Sequence, residues 1–540
     1  MKPSAKCPLG DILSGCSHPF FTGLENTMNG SIPLSSGSKS FVIENGQRFS
    51  ASVLWQLQRS YYQNRGIEAW NQGAVPHYIT NNPVIAGAYA RVVVGFLRDC
   101  LRKPSAPDPD ALVIDPEQPV YILEPGAGTG RFAYHFLKRL LPMLEQPDLR
   151  GLRVVYILSD MVESNMEFWR QHPKLQPFVQ AGQLDFAHFD ALSDEQVQLE
   201  VSGITLSPGS LRNPLIALAN YFLCAIPMDI FSVDQGILRE ELVMTICSNP
   251  LISHADPAVL PYLSIRLSPR FAPVNYYPYE EDNQLLQEYA RLLNRAYISF
   301  PRSARACLRN FARLSGGRML LIAGDRGYYR LDTLRAQYEP RLSLHGNSVS
   351  MPVNFHAVGD FFLRRGGQAV FTQQRDEGLV IAACTLGSFA PDSVDTHLAF
   401  QEAVENDGPD DFFQLKKAVE GGYTEFTLDQ LLAFLRISGY DANIFFACAG
   451  SLLQQAELAT DSQQDRLYDV LCRVWDMYYP IGEPQNVPEM LAKVFISICR
   501  YREALSCLHW SISLYGENET IRQLVETCQR CSWDPGDTFP

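Results

Sequence analysis

Glu124 stands just ahead of three alternating glycines, Gly126, Gly128 and Gly130, in the run YILEPGAGTGRFAYHFLKRL at residues 121–140. Glycines between an apolar strand and an amphipathic helix let the chain turn tightly and let a ligand approach the main chain. A carboxylate at the end of that strand decides which ligand suits the turn. It would repel the pyrophosphate of a dinucleotide and attract the amino and sulfonium charges of S-adenosylmethionine (SAM). Asp160 closes the next apolar run, YILSD, where an acid can accept from both hydroxyls of a ribose or can cap the helix that follows. In GQLDFAHFDAL, Phe189 can pack on an adenine ring while Asp190 accepts from its exocyclic amine; Asp185 with Phe186 offers a rival pair.

These residues need a scaffold that brings strand ends together. Strand-like runs (VYILEPG, RVVYILSD, NPLIALANYF, GRMLLIAGD, GLVIAACTL) alternate with helix-like ones (RFAYHFLKRLLPML, MVESNMEFWRQH). That alternation predicts an α/β fold with a doubly wound parallel sheet. Ahead of it, FSASVLWQLQRSYYQ and NPVIAGAYARVVVGFLRDCL predict two helices flanking the turn VPHYITNNP. A stretch rich in proline and aromatics near 248–285 reads as an insertion over the ligand-binding edge. After about residue 395 the pattern becomes helical throughout, and YREALSCLHWSISLYGEN has tetratricopeptide-like spacing; a small helical bundle accounts for it as well. The expected organisation is a flexible arm over 1–45, a helical element over 46–115, a catalytic domain over 116–392 and a helical domain over 393–540.

The ordered set YITNNP, EPGAGTG, FDAL, LANYFLCAIPMDIF, AGDRGYY and VNFHAVGDFF resembles the MidA-like SAM-dependent methyltransferases, the group containing the mitochondrial complex I assembly methyltransferase, over roughly residues 50–390. The resemblance implies a class I methyltransferase (Rossmann-like) fold, SAM as cofactor and transfer to a protein arginine. It makes Tyr78 and Thr80 cofactor-loop residues and places Asn220 and Tyr221 on the acceptor side. Where the family has a glutamate this chain has Tyr221, and Cys224 replaces an aspartate. A guanidinium is best held by a carboxylate in bidentate geometry, which neither residue supplies, so the acceptor is left as a protein side chain or a bulky small molecule. Asp325 and His356 fall near the same expected side, as proton acceptors or as structural residues.

Composition narrows the remaining classes. With 45 basic against 59 acidic residues the formal charge is −14, the wrong sign for a general nucleic-acid binder. The thirteen cysteines have no disulfide-like spacing, which suggests a reducing, cytoplasmic setting. Cys528 and Cys531 lack the partners of a zinc site, and no metal is expected. No apolar run is long enough for a membrane span. Two other readings share the same residues: a scaffold that keeps the fold without catalysis and acts through protein partners at its C-terminal helices, and a nicotinamide-dependent oxidoreductase.

Overall fold

The computed structural model describes residues 40–531 except 250, 336–338, 341, 346, 374–378 and 407. The arm expected over 1–45 thus lies outside the described residues as far as 39, and its last part is already a strand, β1 (Phe41–Arg48). The chain divides into two compact units between Asp411 and Phe412.

In the first unit, β1 leads into α1 (Val53–Arg65) and α2 (Pro83–Leu101). Glu44 of β1 accepts from Val53 N at 2.9 Å, and Ser52 caps the same helix start. Asn82 caps α2 by accepting from Val84 N at 2.9 Å and Ile85 N at 3.2 Å, with Pro83 in the first turn where its missing N–H costs nothing.

Strands and helices then alternate through β2 (Val120–Pro125), α3 (Arg131–Leu144), β3 (Val154–Asp160), α4 (Glu163–Gln171), β4 (Leu184–His188) and β5 (Leu215–Asn220). The chain next leaves this sheet for β6 (Asp229–Asp234), β7 (Ile237–Cys247), β8 (Leu263–Phe271), α5 (Glu280–Leu292) and β9 (Arg295–Phe300). These four strands form a five-stranded antiparallel sheet with β1. The insertion is therefore wider than the expected 248–285, and it recruits a strand from far upstream.

The chain returns with α6 (Arg302–Leu314), β10 (Met319–Tyr328), α7 (Phe355–Leu363), β11 (Gln368–Phe371) and β12 (Leu379–Leu386). The resulting sheet runs β4–β3–β2–β5–β10–β12–β11 and is mixed: β2 through β5 and β10 are parallel, and β12 is antiparallel to both β10 and β11. Strand order reverses between β2 and β5, which pair at Ile122 with Ile216 and Leu123 with Ala217. Crevices outside the carboxyl ends of strands at such a reversal are where open α/β sheets hold ligands. β2 and β12 are buried along their whole lengths, so both read as continuous apolar runs.

Helix α8 (Asp395–Phe400) belongs with this unit, although the sequence suggests a boundary near 393. Asp99 of α2 accepts from Thr396 N at 2.8 Å and Thr396 Oγ1 at 2.6 Å, and Gly95 leaves room for the Asp395 carbonyl, which a Cβ would meet at 2.5 Å. The described residues of the second unit form helices, with no strand: among them α9 (Leu428–Ile437), α10 (Ala442–Ala456), α11 (Asp461–Met477), α12 (Val487–Ser497), α13 (Tyr501–Tyr515) and α14 (Glu519–Cys531). Capping boxes at Thr427 with Gln430 and Thr460 with Gln463 start α9 and α11. Among the described residues no helix is long and apolar enough to cross a membrane.

Candidate functional site

The carboxyl ends of β3, β2, β5 and β10 bring Asp160, Glu124, Asn220 and Asp325 to one end of the sheet. Glu124 is 5% exposed and accepts from Tyr156 Oη at 2.7 Å. Among the described residues no cationic side chain pairs with it. Burial raises its carboxyl to a pKa of about 8; the Tyr156 hydroxyl pulls the other way, and nearby Asp160 adds to the rise. A buried carboxyl without a cation is held at a cost that a cationic ligand would relieve.

The turn after β2 has the left-handed backbone its glycines permit, with φ of 64° at Gly126, 55° at Gly128 and 73° at Gly130, the last being the residue before α3. Ala127 N donates to Ser159 O at 3.0 Å, and Trp169 Nε1 donates to Gly128 O at 3.0 Å, which fastens the turn to β3 and α4. Aromatic rings also pack against it. A Cβ on Gly128 would lie 3.1 Å from the Trp70 ring, and one on Gly126 would lie 3.0 Å from Phe222. Tyr62 stacks on Trp70 at 5.5 Å between centroids and bonds Ser348 Oγ through its hydroxyl at 2.8 Å. Aromatic faces beside a buried carboxyl that has no cationic partner among the described residues suit a soft cation such as a sulfonium.

Asp160 does more structural work than the ribose assignment gave it. Its Oδ2 accepts from Gly128 N at 3.0 Å and Asn165 Nδ2 at 3.1 Å, and its Oδ1 accepts from Val162 N at 3.0 Å. It therefore ties the glycine turn to the start of α4, and with the Met161 N–H also bonded to it, its acceptor positions are taken up by the fold. Burial pushes its carboxyl up despite these donors.

Phe189, expected against an adenine ring, lies at the edge of the hydrophobic core. Its ring is 4% exposed and packs in the core against Phe311 at 6.0 Å. Asp190 follows the end of β4, where its Oδ2 meets Arg59 Nη1 of α1 at 2.6 Å. The rival Asp185 is committed to the fold, accepting from Val201 N at 2.8 Å and Ser202 N at 3.0 Å.

Asn220, expected on the acceptor side, makes one hydrogen bond at each end of its amide. Oδ1 accepts from Tyr89 Oη at 2.9 Å, and Nδ2 donates to Thr80 O at 3.2 Å. Thr80 is 4% exposed in the short turn Tyr78–Thr80, whose Tyr78 and Ile79 carbonyls accept from Asn82 Nδ2 at 2.9 and 3.1 Å. Tyr221 sits at φ 47°, a backbone region that costs a bulky residue energy, and its N–H donates to Gly324 O at 2.9 Å. Burial and the neighbouring Asp325 push its hydroxyl pKa up, so it acts as a neutral group.

Asp325 is fully buried, with Oδ2 accepting from Cys224 N at 2.9 Å and Oδ1 from Arg326 N at 3.0 Å. Burial raises its carboxyl to about 7, and burial together with Asp325 raises the Cys224 thiol. His356 is held elsewhere: Nδ1 lies 2.9 Å from Tyr289 Oη of α5, and burial lowers its pKa. The site residues that sequence reasoning missed are Tyr62, Trp70, Tyr89 and Tyr156. Tyr89 and Tyr156 did leave a signal, since each stands in a largely apolar run of helix or strand, where a buried tyrosine needs a partner for its hydroxyl.

No family model and no curated protein matches this chain. Two solved structures from Burkholderia thailandensis resemble it. One is a COG1565 superfamily member and likely methyl transferase bound to S-adenosyl-homocysteine, 15% identical, covering 64% of this chain and 90% of that one with a TM-score of 0.39. The other is an uncharacterized ACR, COG1565 superfamily protein, 13% identical, covering 64% and 94% with a TM-score of 0.37. At this level of likeness, what those proteins bind is a property of those proteins.

Proposed function

We propose that this chain is a SAM-dependent methyltransferase of class I type, with SAM lying across the glycine turn and its amino group paired to Glu124. The observation that carries the reading is the buried, uncompensated Glu124 carboxyl at the strand-order reversal, beside a glycine turn walled by Trp70 and Phe222. A strand order that reverses once, with a single antiparallel strand inside an otherwise parallel run, supports the class I arrangement. Glu124 would bind the ammonium, Tyr156 would orient Glu124, and Tyr78 and Thr80 would border the cofactor. Asp160 would shape the glycine turn beside the ribose, and Asp190 would face the adenine end beside Arg59.

SAM supplies an electrophilic methyl group for direct displacement, so the protein's task is to position the acceptor and exclude water. Tyr221 and the Cys224 segment form the acceptor side. They present a neutral hydroxyl and a neutral thiol, which favours an uncharged nucleophile on a protein side chain or bulky molecule over a guanidinium. The helical second unit is the natural place for a protein partner to dock.

The aromatic wall also favours a second reading, a scaffold in which Trp70 and Phe222 fill the cofactor's place. Incubating the full chain with methyl-tritiated SAM and a cell lysate separates the two. An enzyme labels an acceptor, and the label falls by about tenfold or more in Glu124→Ala, the loss of a charge-assisted hydrogen bond. A lysate left unlabelled while a control enzyme labels its own substrate rejects the catalytic reading.

A further inference from the structure

Tyr89 is fully buried in α2, with its ring edge-on to Phe132 at 5.6 Å, and its hydroxyl donates to Asn220 Oδ1 at 2.9 Å. Asn220 passes the connection on through Nδ2 to Thr80 O at 3.2 Å. The path joins the end of β5 to the turn Tyr78–Thr80, which itself leads into Asn82 and the start of α2. Both ends of the carboxamide are used, so the orientation of Asn220 is fixed. The neighbouring strand is built to admit the pair. Gly324 of β10 faces Asn220 in register, and a Cβ there would meet Tyr89 Oη at 2.5 Å and Asn220 Oδ1 at 2.9 Å. Gly324 has no positive φ to explain its glycine, so close approach of these two side chains is the reason for it.

We infer that Tyr89, Asn220 and the Thr80 carbonyl form a latch that holds the 78–82 turn against the strand end, and that Tyr89 is a positioning residue for cofactor binding. The inference rests on the reading that SAM lies beside this turn. The latch joins residues that a ligand would otherwise have to order itself, so opening it reduces affinity through the cost of ordering the turn. It also makes the expected effect of Asn220 one on cofactor binding as well as on turnover.

Hydrogen exchange on the full-length chain without ligand tests the latch directly. The Thr80 and Asn81 amides donate within the turn to His77 O and Tyr78 O, so their exchange reports whether it is closed. In Tyr89→Phe these amides are expected to exchange about tenfold faster, and S-adenosylhomocysteine (SAH) to bind about tenfold more weakly, with amides of β2 and β3 unchanged. Gly324→Ala supplies an independent route to the same state. It should weaken SAH several-fold in the wild-type background and by a smaller factor in Tyr89→Phe, because the hydroxyl contact is gone while the one to Asn220 Oδ1 remains.

Unchanged exchange at Thr80 and Asn81 in a folded Tyr89→Phe variant overturns the latch. Faster exchange with unaltered SAH affinity overturns its positioning role. Wild-type protein that fails to bind SAH overturns the cofactor reading instead, and the exchange measurement, which needs no ligand, tells the two failures apart.

Discussion

Glu124 is the residue on which the site depends, and its buried carboxyl has consequences that can be measured without a substrate. Its folded-state pKa is about 8 against an ordinary 4.5, so between those values the native state keeps a proton that the unfolded chain has lost. Its contribution to stability is therefore fully present below the lower value and disappears as pH rises through the upper one, at no more than about 1.4 kcal/mol per pH unit. Glu124→Gln removes the titration and keeps an acceptor for Tyr156. The difference in urea midpoint between variant and wild type should move in the variant's favour from pH 5 to pH 8.5. A difference independent of pH would show that Glu124 ionises in the fold as freely as in water.

The elements show why part of the site was legible and part was not. The turn between β2 and α3 could be read directly, because a strand period, three alternating glycines and a helix period follow one another without interruption in the chain. Asn220 could be read as a strand-end residue, but its partners Tyr89 and Thr80 lie 131 and 140 residues away, and no local pattern encodes such a meeting. For the same reason the antiparallel sheet was invisible: Phe41 of β1 pairs with Cys247 of β7. β4 is hard to read because LDFAH is a strand of only five residues, and the periodicity of so short a run does not show that Phe189 just beyond it packs on Phe311.

The glycine turn itself can be tested as an element. Gly182, ahead of β4, has φ 67° with nothing within 4 Å of the position a Cβ would take, whereas Gly128 at 55° would place its Cβ 3.1 Å from Trp70. Gly182→Ala should cost about 1 kcal/mol in the left-handed conformation alone, and Gly128→Ala should cost more, because the Trp70 ring must also shift. Denaturant midpoints compare the two. Equal losses would mean that Trp70 does not pack on the turn.

At the scale of the whole molecule, the chain combines an α/β unit that carries every candidate site residue with a helical unit that carries none of them. Its formal charge of −14 is of the sign that attracts a cationic ligand from solution. The most direct test is calorimetric titration of the full chain with SAH at pH 7, repeated in buffers of low and high ionisation enthalpy. Because the SAH ammonium needs an ionised Glu124, whose pKa is about 8, binding should release a proton and the apparent enthalpy should depend on the buffer. The expected result is saturable binding at a single site, proton release, and affinity about tenfold weaker in Glu124→Gln. Absence of saturable heat at millimolar SAH, or binding that releases no proton and is indifferent to Glu124→Gln, would contradict the assignment of this crevice to SAM.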